Sequence, residues 1–145
     1  MPFIQNVAYA DIPVAYHMDA GDRAMLIQIV DPGMTFPEPK AKFEIIKQFE
    51  FLDVEPDDSD LSEFAMTKAQ AAQIAALLKQ ALEERRNVVV HCFAGICRSG
   101  AVAEVGVMMG FQGTDRYRQP NVWVKQLLMN ELGWTYENEE ISKET

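Results

Sequence analysis

The stretch NVVVHCFAGICRSGAVAEVGVMMG, residues 87–110, decides the fold of this 145-residue chain. It opens with three consecutive valines, and such a run of β-branched residues is typical of a central strand that is covered on both faces. It closes with a segment rich in Gly and Ala, residues 99–109, which predicts a closely packed helix ending at Gly110. The loop HCFAGICRSG, residues 91–100, joins the strand to the helix.

Further strands and helices are predicted on both sides of this unit. The apolar run AMLIQIV, residues 24–30, predicts a buried strand, and FEFLD, residues 49–53, alternates along a second strand. Residues 67–82 combine a capping box with an apolar stripe at helical spacing, and a last helix is predicted to begin after Asn121. This alternation of strands and helices indicates an α/β layered fold.

The length and composition are those of an ordinary globular domain, with 48% hydrophobic residues. We expect a single catalytic domain over residues 1–136, followed by the acidic tail ENEEISKET at residues 137–145. No apolar run approaches the roughly 20 residues that span a bilayer, and the N-terminus lacks a signal-peptide pattern. A cytoplasmic protein is therefore the expectation.

The charge balance is strongly acidic, since 13 Lys and Arg residues stand against 22 Asp and Glu residues, giving a formal net charge of −9. A field of this sign repels polyanions, so nucleic acids and anionic membranes are not expected as partners. Any site that binds an anion must therefore be a local feature that works against the field of the whole protein.

Neither a disulfide scaffold nor a metal site is expected from the cysteines and histidines. Cys92 and Cys97 are so close in sequence that a disulfide between them would constrain almost nothing. The two histidines are His17 and His91, and there is no second cysteine pair to complete a tetrahedral site. No metal and no cofactor are predicted.

The loop between the strand and the helix carries the chemistry. Such a loop can direct several backbone N–H groups at one point, where the helix N-terminus adds about half a positive charge. These groups bind a phosphate dianion and favour the thiolate form of Cys92, the predicted nucleophile. Arg98 can donate two hydrogen bonds to phosphate oxygens, and Ser99 can donate one to the Cys92 sulfur. The predicted phosphate-binding residues are Phe93, Ala94, Gly95, Ile96, Cys97 and Arg98.

The sequence His-Cys-x5-Arg-Ser, at His91, Cys92, Arg98 and Ser99, resembles the signature of the cysteine-dependent protein tyrosine phosphatases. HCFAGICRS is most similar to the small dual-specificity phosphatases and their bacterial and viral relatives, and the resemblance extends over about residues 24–128. It implies a central, largely parallel sheet flanked by helices. It also implies a metal-independent, two-step hydrolysis of a phosphorylated protein or small phosphomonoester through a phosphocysteine.

That mechanism needs a general acid, which is usually an aspartate upstream of the loop. Asp53 ends the alternating strand pattern, as the family's aspartate often does. Asp57 closes the sequence Glu-Pro-Asp, which resembles the family's Trp-Pro-Asp loop with the Trp replaced. Asp53 and Asp57 are the leading candidates, ahead of Asp58 and Asp60.

Several alternatives stay open at this point. The protein could be a phosphatase-like module that binds phosphorylated partners with little turnover. His91 is expected to orient the loop through hydrogen bonds. Cys97 either fills a tight loop or traps oxidised Cys92 as a disulfide. The sequence does not distinguish phosphotyrosine from phosphoserine, phosphothreonine or a non-protein phosphate as the substrate.

Overall fold

The computed structural model describes residues 1–14, 20–56 and 59–134, without the side chains of residues 59–61. Of the candidate acids, Asp57 and Asp58 lie outside the described residues, as does the side chain of Asp60. The predicted acidic tail lies outside them as well, so the domain boundary after residue 136 stays a prediction.

The sheet contains four strands: β1 (Ile4–Ala8), β2 (Met25–Val30), β3 (Ile45–Glu50) and β4 (Val88–Cys92). Their order across the sheet is β1-β4-β2-β3, and every neighbouring pair is parallel. The carboxyl ends of all four strands therefore lie at one edge of the sheet. The predicted parallel sheet is confirmed.

Both faces of the sheet are covered, which explains the unbroken valine run of β4. Val88 and Val90 contribute to a large core cluster that includes residues from all three helices. Val89 points to the opposite face and packs in a smaller cluster with Leu26 and Ile12. The helices thus pack on one face, and loop residues cover the other.

The three helices are α1 (Lys68–Glu83), α2 (Arg98–Met109) and α3 (Val122–Glu131), close to their predicted bounds. The capping box of α1 is present: Gln70 N donates to Thr67 Oγ1 over 3.1 Å, and Thr67 N donates to Gln70 Oε1 over 2.9 Å. In the described part of the chain, no helix is long and apolar enough to cross a membrane.

The small residues of α2 allow it to lie close against β1. A Cβ atom added to Gly106 would be 2.8 Å from Cδ1 of Ile4, closer than side-chain carbons normally approach. This close packing fixes the height of α2 above the sheet. It therefore also fixes the position of the loop that leads into α2.

Two features differ from the sequence-based expectation. β1 was not predicted, although it is a full partner of β4. β3 begins at Ile45 and ends at Glu50, because only the amide of Phe51 continues the pairing, donating to Val30 O over 3.1 Å. Asp53 therefore lies in the loop that follows β3 and not on the strand.

Candidate active site

The candidate site lies at the carboxyl edge of the sheet, where β4 ends at Cys92 and α2 begins at Arg98. Cys92 is buried, and its Sγ lies 3.1 Å from Oγ of Ser99 in the first turn of α2. The predicted nucleophile and the predicted hydroxyl donor are thus in direct contact.

Four backbone carbonyls of the loop accept hydrogen bonds from the surrounding segments. No backbone amide of residues 93–98 donates a hydrogen bond to another described residue. Cys97, the N-cap residue of α2, is in the αR conformation, and its side chain makes no capping hydrogen bond. Unpaired amides at a helix N-terminus form a site for an anion. The bonds to the loop carbonyls are Tyr9 N to Phe93 O (3.0 Å), Asn6 Nδ2 to Gly95 O (2.7 Å), Gln119 N to Ile96 O (3.1 Å) and Asn121 N to Cys97 O (3.0 Å).

Gly95 allows the tight turn of the loop, as expected from the sequence. Its φ is +77°, in the region that favours glycine. A Cβ atom at this position would be 2.5 Å from the carbonyl carbon of Val7 and 2.6 Å from the amide nitrogen of Ala8. The loop therefore lies directly against the backbone at the end of β1.

Arg98 is buried, with 4% of its surface exposed, and part of its guanidinium is already bound. Nη1 donates to Oδ1 of Asp31 and to the carbonyl oxygen of Phe51, both over 2.7 Å. Nε is buried and has no partner among the described residues. The guanidinium is thus held on one side, while a donor remains for a ligand.

Asp31, which holds Arg98, is itself fixed by a turn. It directly follows β2, and Met34 N donates to its carbonyl over 2.9 Å. The amide of Gly33, within this turn, donates to a carboxylate oxygen of Glu50 over 2.8 Å. A turn fixed from two sides gives the carboxylate a defined direction toward Arg98.

Asp53 is the candidate acid that the structure describes, and it lies beside the loop. Its Oδ1 accepts a 2.7 Å hydrogen bond from Nδ2 of Asn121, the N-cap residue of α3. Its carboxylate also interacts with the Cys97 thiol. Burial, and then the Asp53 charge, raise the pKa of that thiol. Cys97 therefore stays protonated as a neighbour of Asp53.

His91 is fully buried at the end of β4, and its Nδ1 lies 3.4 Å from the carbonyl oxygen of Cys92. The ring also makes an edge-to-face contact with Tyr9, at 6.0 Å between centroids. Burial is the main cause that lowers the pKa of His91 to about 4. A neutral imidazole at this position fits an orienting role.

This lowered pKa predicts that stability decreases in mild acid. The unfolded chain, with an ordinary histidine pKa of 6.5, binds a proton between pH 6.5 and 4 more readily than the folded chain does. We expect the free energy of unfolding to fall by about 2 kcal/mol between pH 7 and pH 5. Urea titrations at both pH values measure it, and the His91→Gln variant should show a smaller difference. A wild type that is equally stable at both pH values would contradict the burial of a neutral His91.

The structure thus brings together Cys92, Arg98, Ser99 and Asp53. Three polar residues of the site were missed by the sequence analysis: Asn6, Asp31 and Asn121. Asp31 had a usable signal, because it directly follows a predicted strand whose end lies at the same edge as Cys92. No group of three or more potential metal-ligating side chains occurs within the described ranges.

An aromatic surface borders the loop. Phe93 follows Cys92 and is 59% exposed, and its ring lies 6.2 Å from that of Tyr9. The hydroxyl of Tyr9 donates to the carbonyl of Thr35 over 2.7 Å, so this ring is held in place. Phe93 and Tyr9 thus form an aromatic surface at the start of the loop.

No protein-family model matches this sequence. No curated protein matches it either. The comparison of folds, by contrast, gives clear neighbours among the solved structures.

The fold is similar to that of human DUSP28, with a TM-score of 0.54 and 12% identity over 99% of this chain and 88% of that one. A human tyrosine phosphatase-like serine/threonine/tyrosine-interacting protein gives a TM-score of 0.53 and 16% identity over 99% and 88% of the two chains. OH1 from the Orf virus, described as a tyrosine phosphatase, gives 0.50 and 20% identity over 75% and 57%.

These neighbours confirm the predicted resemblance to dual-specificity and tyrosine phosphatases and the predicted α/β fold. At such low identities the likeness concerns the fold alone. One of these neighbours is named as a phosphatase-like interacting protein.

Proposed function

We propose that this protein hydrolyses phosphate monoesters through a covalent phosphocysteine formed at Cys92. The observation that carries the proposal is the arrangement of the loop around the Cys92 sulfur. Its carbonyls are tied to neighbouring segments, while the amides of residues 93–98 make no hydrogen bond to another described residue. Such amides can bind the three non-bridging oxygens of a phosphate.

In the first step, the Cys92 thiolate attacks phosphorus, forming the S–P bond as the P–O bond to the leaving group breaks. The loop amides and the guanidinium of Arg98 hold the equatorial oxygens of the transition state. Nε of Arg98 is the donor that has no partner among the described residues. Protonated Asp53 gives its proton to the leaving oxygen, so that an alcohol departs and Asp53 becomes a carboxylate.

In the second step, water hydrolyses the phosphocysteine. The Asp53 carboxylate takes a proton from the water molecule. The water oxygen bonds to phosphorus at the same time, and the S–P bond breaks. The Cys92 sulfur leaves as a thiolate, and the Ser99 hydroxyl, 3.1 Å away, can stabilise it by donating a hydrogen bond. Inorganic phosphate is released and the starting protonation state returns.

The second candidate function is a module that binds phosphorylated partners without turning them over. The likeness to a phosphatase-like interacting protein favours it. The direct contact between Cys92 and Ser99 favours the hydrolase, because a binding site needs neither a thiolate nor a hydroxyl to stabilise its departure. For the hydrolase, the proposed substrate is a phosphorylated protein or a small phosphomonoester. The proposed location is the cytoplasm.

The test is phosphate release from a small aryl phosphate, whose ring can pack on the exposed Phe93 of the loop. The assay includes EDTA and covers pH 5–8, with the Arg98→Lys variant in parallel. We expect turnover by wild type and a loss of about a hundredfold in the variant, since lysine cannot donate the paired hydrogen bonds of arginine. Folded wild type that binds vanadate but releases no phosphate would favour the binding module.

Asp53 and Asp57 can be distinguished by the pH dependence of turnover. We expect Asp53→Asn to lower kcat by about a hundredfold or more and to remove the decline of kcat at high pH, which reports the loss of the acid's proton. Asp57→Asn should keep that decline. The reverse pattern would assign the acid to Asp57. Asn variants of Asp58 and Asp60 test the two remaining candidate acids in the same way.

A further inference from the structure

Asn121 lies where three segments of the site meet. Its backbone N–H donates to the Cys97 carbonyl over 3.0 Å, and its Oδ1 caps α3 by accepting from Val124 N over 3.0 Å. Its Nδ2 donates to Oδ1 of Asp53 over 2.7 Å. We propose that Asn121 is a positioning residue that holds the Asp53 carboxyl group beside the loop for proton transfer. This inference rests on the proposed function.

The orientation of the Asn121 side chain is fixed by its role as a cap. Because Oδ1 accepts the Val124 amide, the NH2 group of the same side chain must point the other way, toward Asp53. Nδ2 also lies 3.5 Å from the carbonyl oxygen of Val54. Rotating the amide would therefore break the cap and the contact with Asp53 together.

Asn121 also connects Asp53 to the loop of residues 93–98. The backbone of Asn121 binds the loop at Cys97, and its side chain binds Asp53, so a shift of α3 moves both contacts. Cys97 lies at the start of α2 and interacts with Asp53 as well. Asn121 thereby ties the loop that carries Asp53 to the loop of residues 93–98.

An amide is chemically suited to this task. A lysine or arginine in contact with Asp53 would strongly favour the ionised carboxylate and oppose its role as an acid. A neutral N–H donor orients the carboxyl group with a weaker bias toward ionisation. The Cys97 thiol also contacts Asp53, and both Asp53 and the Arg98 cation act on that thiol.

The test compares two substrates that differ in how much they need an acid. Phenyl phosphate has a poor leaving group and requires protonation, whereas 2,4-dinitrophenyl phosphate has a good one and does not. The Asn121→Ser variant keeps an N-cap oxygen but removes the amide NH2 group that donates to Asp53. We expect it to lower kcat/KM for phenyl phosphate about tenfold, as for the loss of one hydrogen bond, and to leave dinitrophenyl phosphate nearly unaffected.

A second variant reverses the electrostatics while keeping the cap. Asn121→Asp retains a side-chain oxygen for the Val124 amide and places a second carboxylate against Asp53. Like charges disfavour ionisation, so the decline of kcat at high pH should move by about one unit toward higher pH. This shift tests whether position 121 faces the acid, and its absence would overturn the positioning role.

The outcomes separate the inference from the proposed function. Equal losses for both esters, or no loss for either, would overturn the positioning role, provided that thermal midpoints and vanadate binding show intact folds. If Asp57→Asn reproduces the leaving-group effect and Asp53→Asn does not, the inference fails and the phosphatase stands. If wild type hydrolyses neither ester, the proposed function fails, and the positioning role fails with it.

Discussion

Replacing Cys92 by serine is expected to lower phosphate release by at least about a thousandfold, because a hydroxyl at this position has no base to ionise it. The contact with Ser99 would remain, since a serine oxygen can also exchange a hydrogen bond with a hydroxyl. The loop amides and Arg98 would be unchanged. Vanadate or phosphate should therefore still bind to the variant, measured by calorimetry beside the wild type.

Two results would contradict this expectation. A Cys92→Ser variant that keeps most of its turnover would mean that another group attacks phosphorus. A variant that loses binding together with turnover, at an unchanged thermal midpoint, would mean that the sulfur itself forms part of the anion site. Trapping of radioactive phosphate on acid-quenched wild type provides an independent check on the covalent intermediate.

Replacing Gly95 by alanine is expected to destabilise the fold by about 3 kcal/mol and to weaken phosphate binding. The new Cβ would be 2.5 Å from the carbonyl carbon of Val7, and this obstacle is backbone that cannot rotate away. Positive φ adds strain of its own. Either the loop moves away from β1 or the end of β1 shifts, and both changes misplace the loop amides.

Gly21→Ala is the matched control for this variant. Gly21 has a similar positive φ of +87°, but, its two chain neighbours aside, no heavy atom of the described residues lies within 4 Å of an added Cβ. Its replacement should cost about 1 kcal/mol, for the backbone strain alone. Urea unfolding of both variants measures the difference. Equal costs at Gly95 and Gly21 would mean that the loop is not packed against β1.

The core of the fold was predictable because its signals are local. The valines of β4, the small residues of α2 and the capping box of Thr67 each lie within one continuous segment. β1 escaped prediction because its sequence, IQNVA, places two polar residues inside a short strand. One of them, Asn6, is buried because it binds the Gly95 carbonyl, which lies far away in the sequence.

The candidate site was predictable only in part, for a similar reason. Cys92, Arg98 and Ser99 belong to one motif whose spacing is visible in the sequence. The contacts of Asp31 with Arg98 and of Asn121 with Asp53 bridge 67 and 68 residues, respectively. Nothing near Asn121 in the sequence indicates a bond to an acid, because the residue is already explained as the cap of α3.

The parallel pairing of β1 with β4 has a consequence for synthesis on the ribosome. β1 emerges first, but its partner follows roughly 80 residues later, which at bacterial or eukaryotic elongation rates means about 4–16 s. During this interval the strand has no neighbour in the sheet, and the Gly95 carbonyl that Asn6 will bind does not yet exist. The contact that holds the loop against β1, from Asn6 to the Gly95 carbonyl, is therefore one of the last that the growing chain can make.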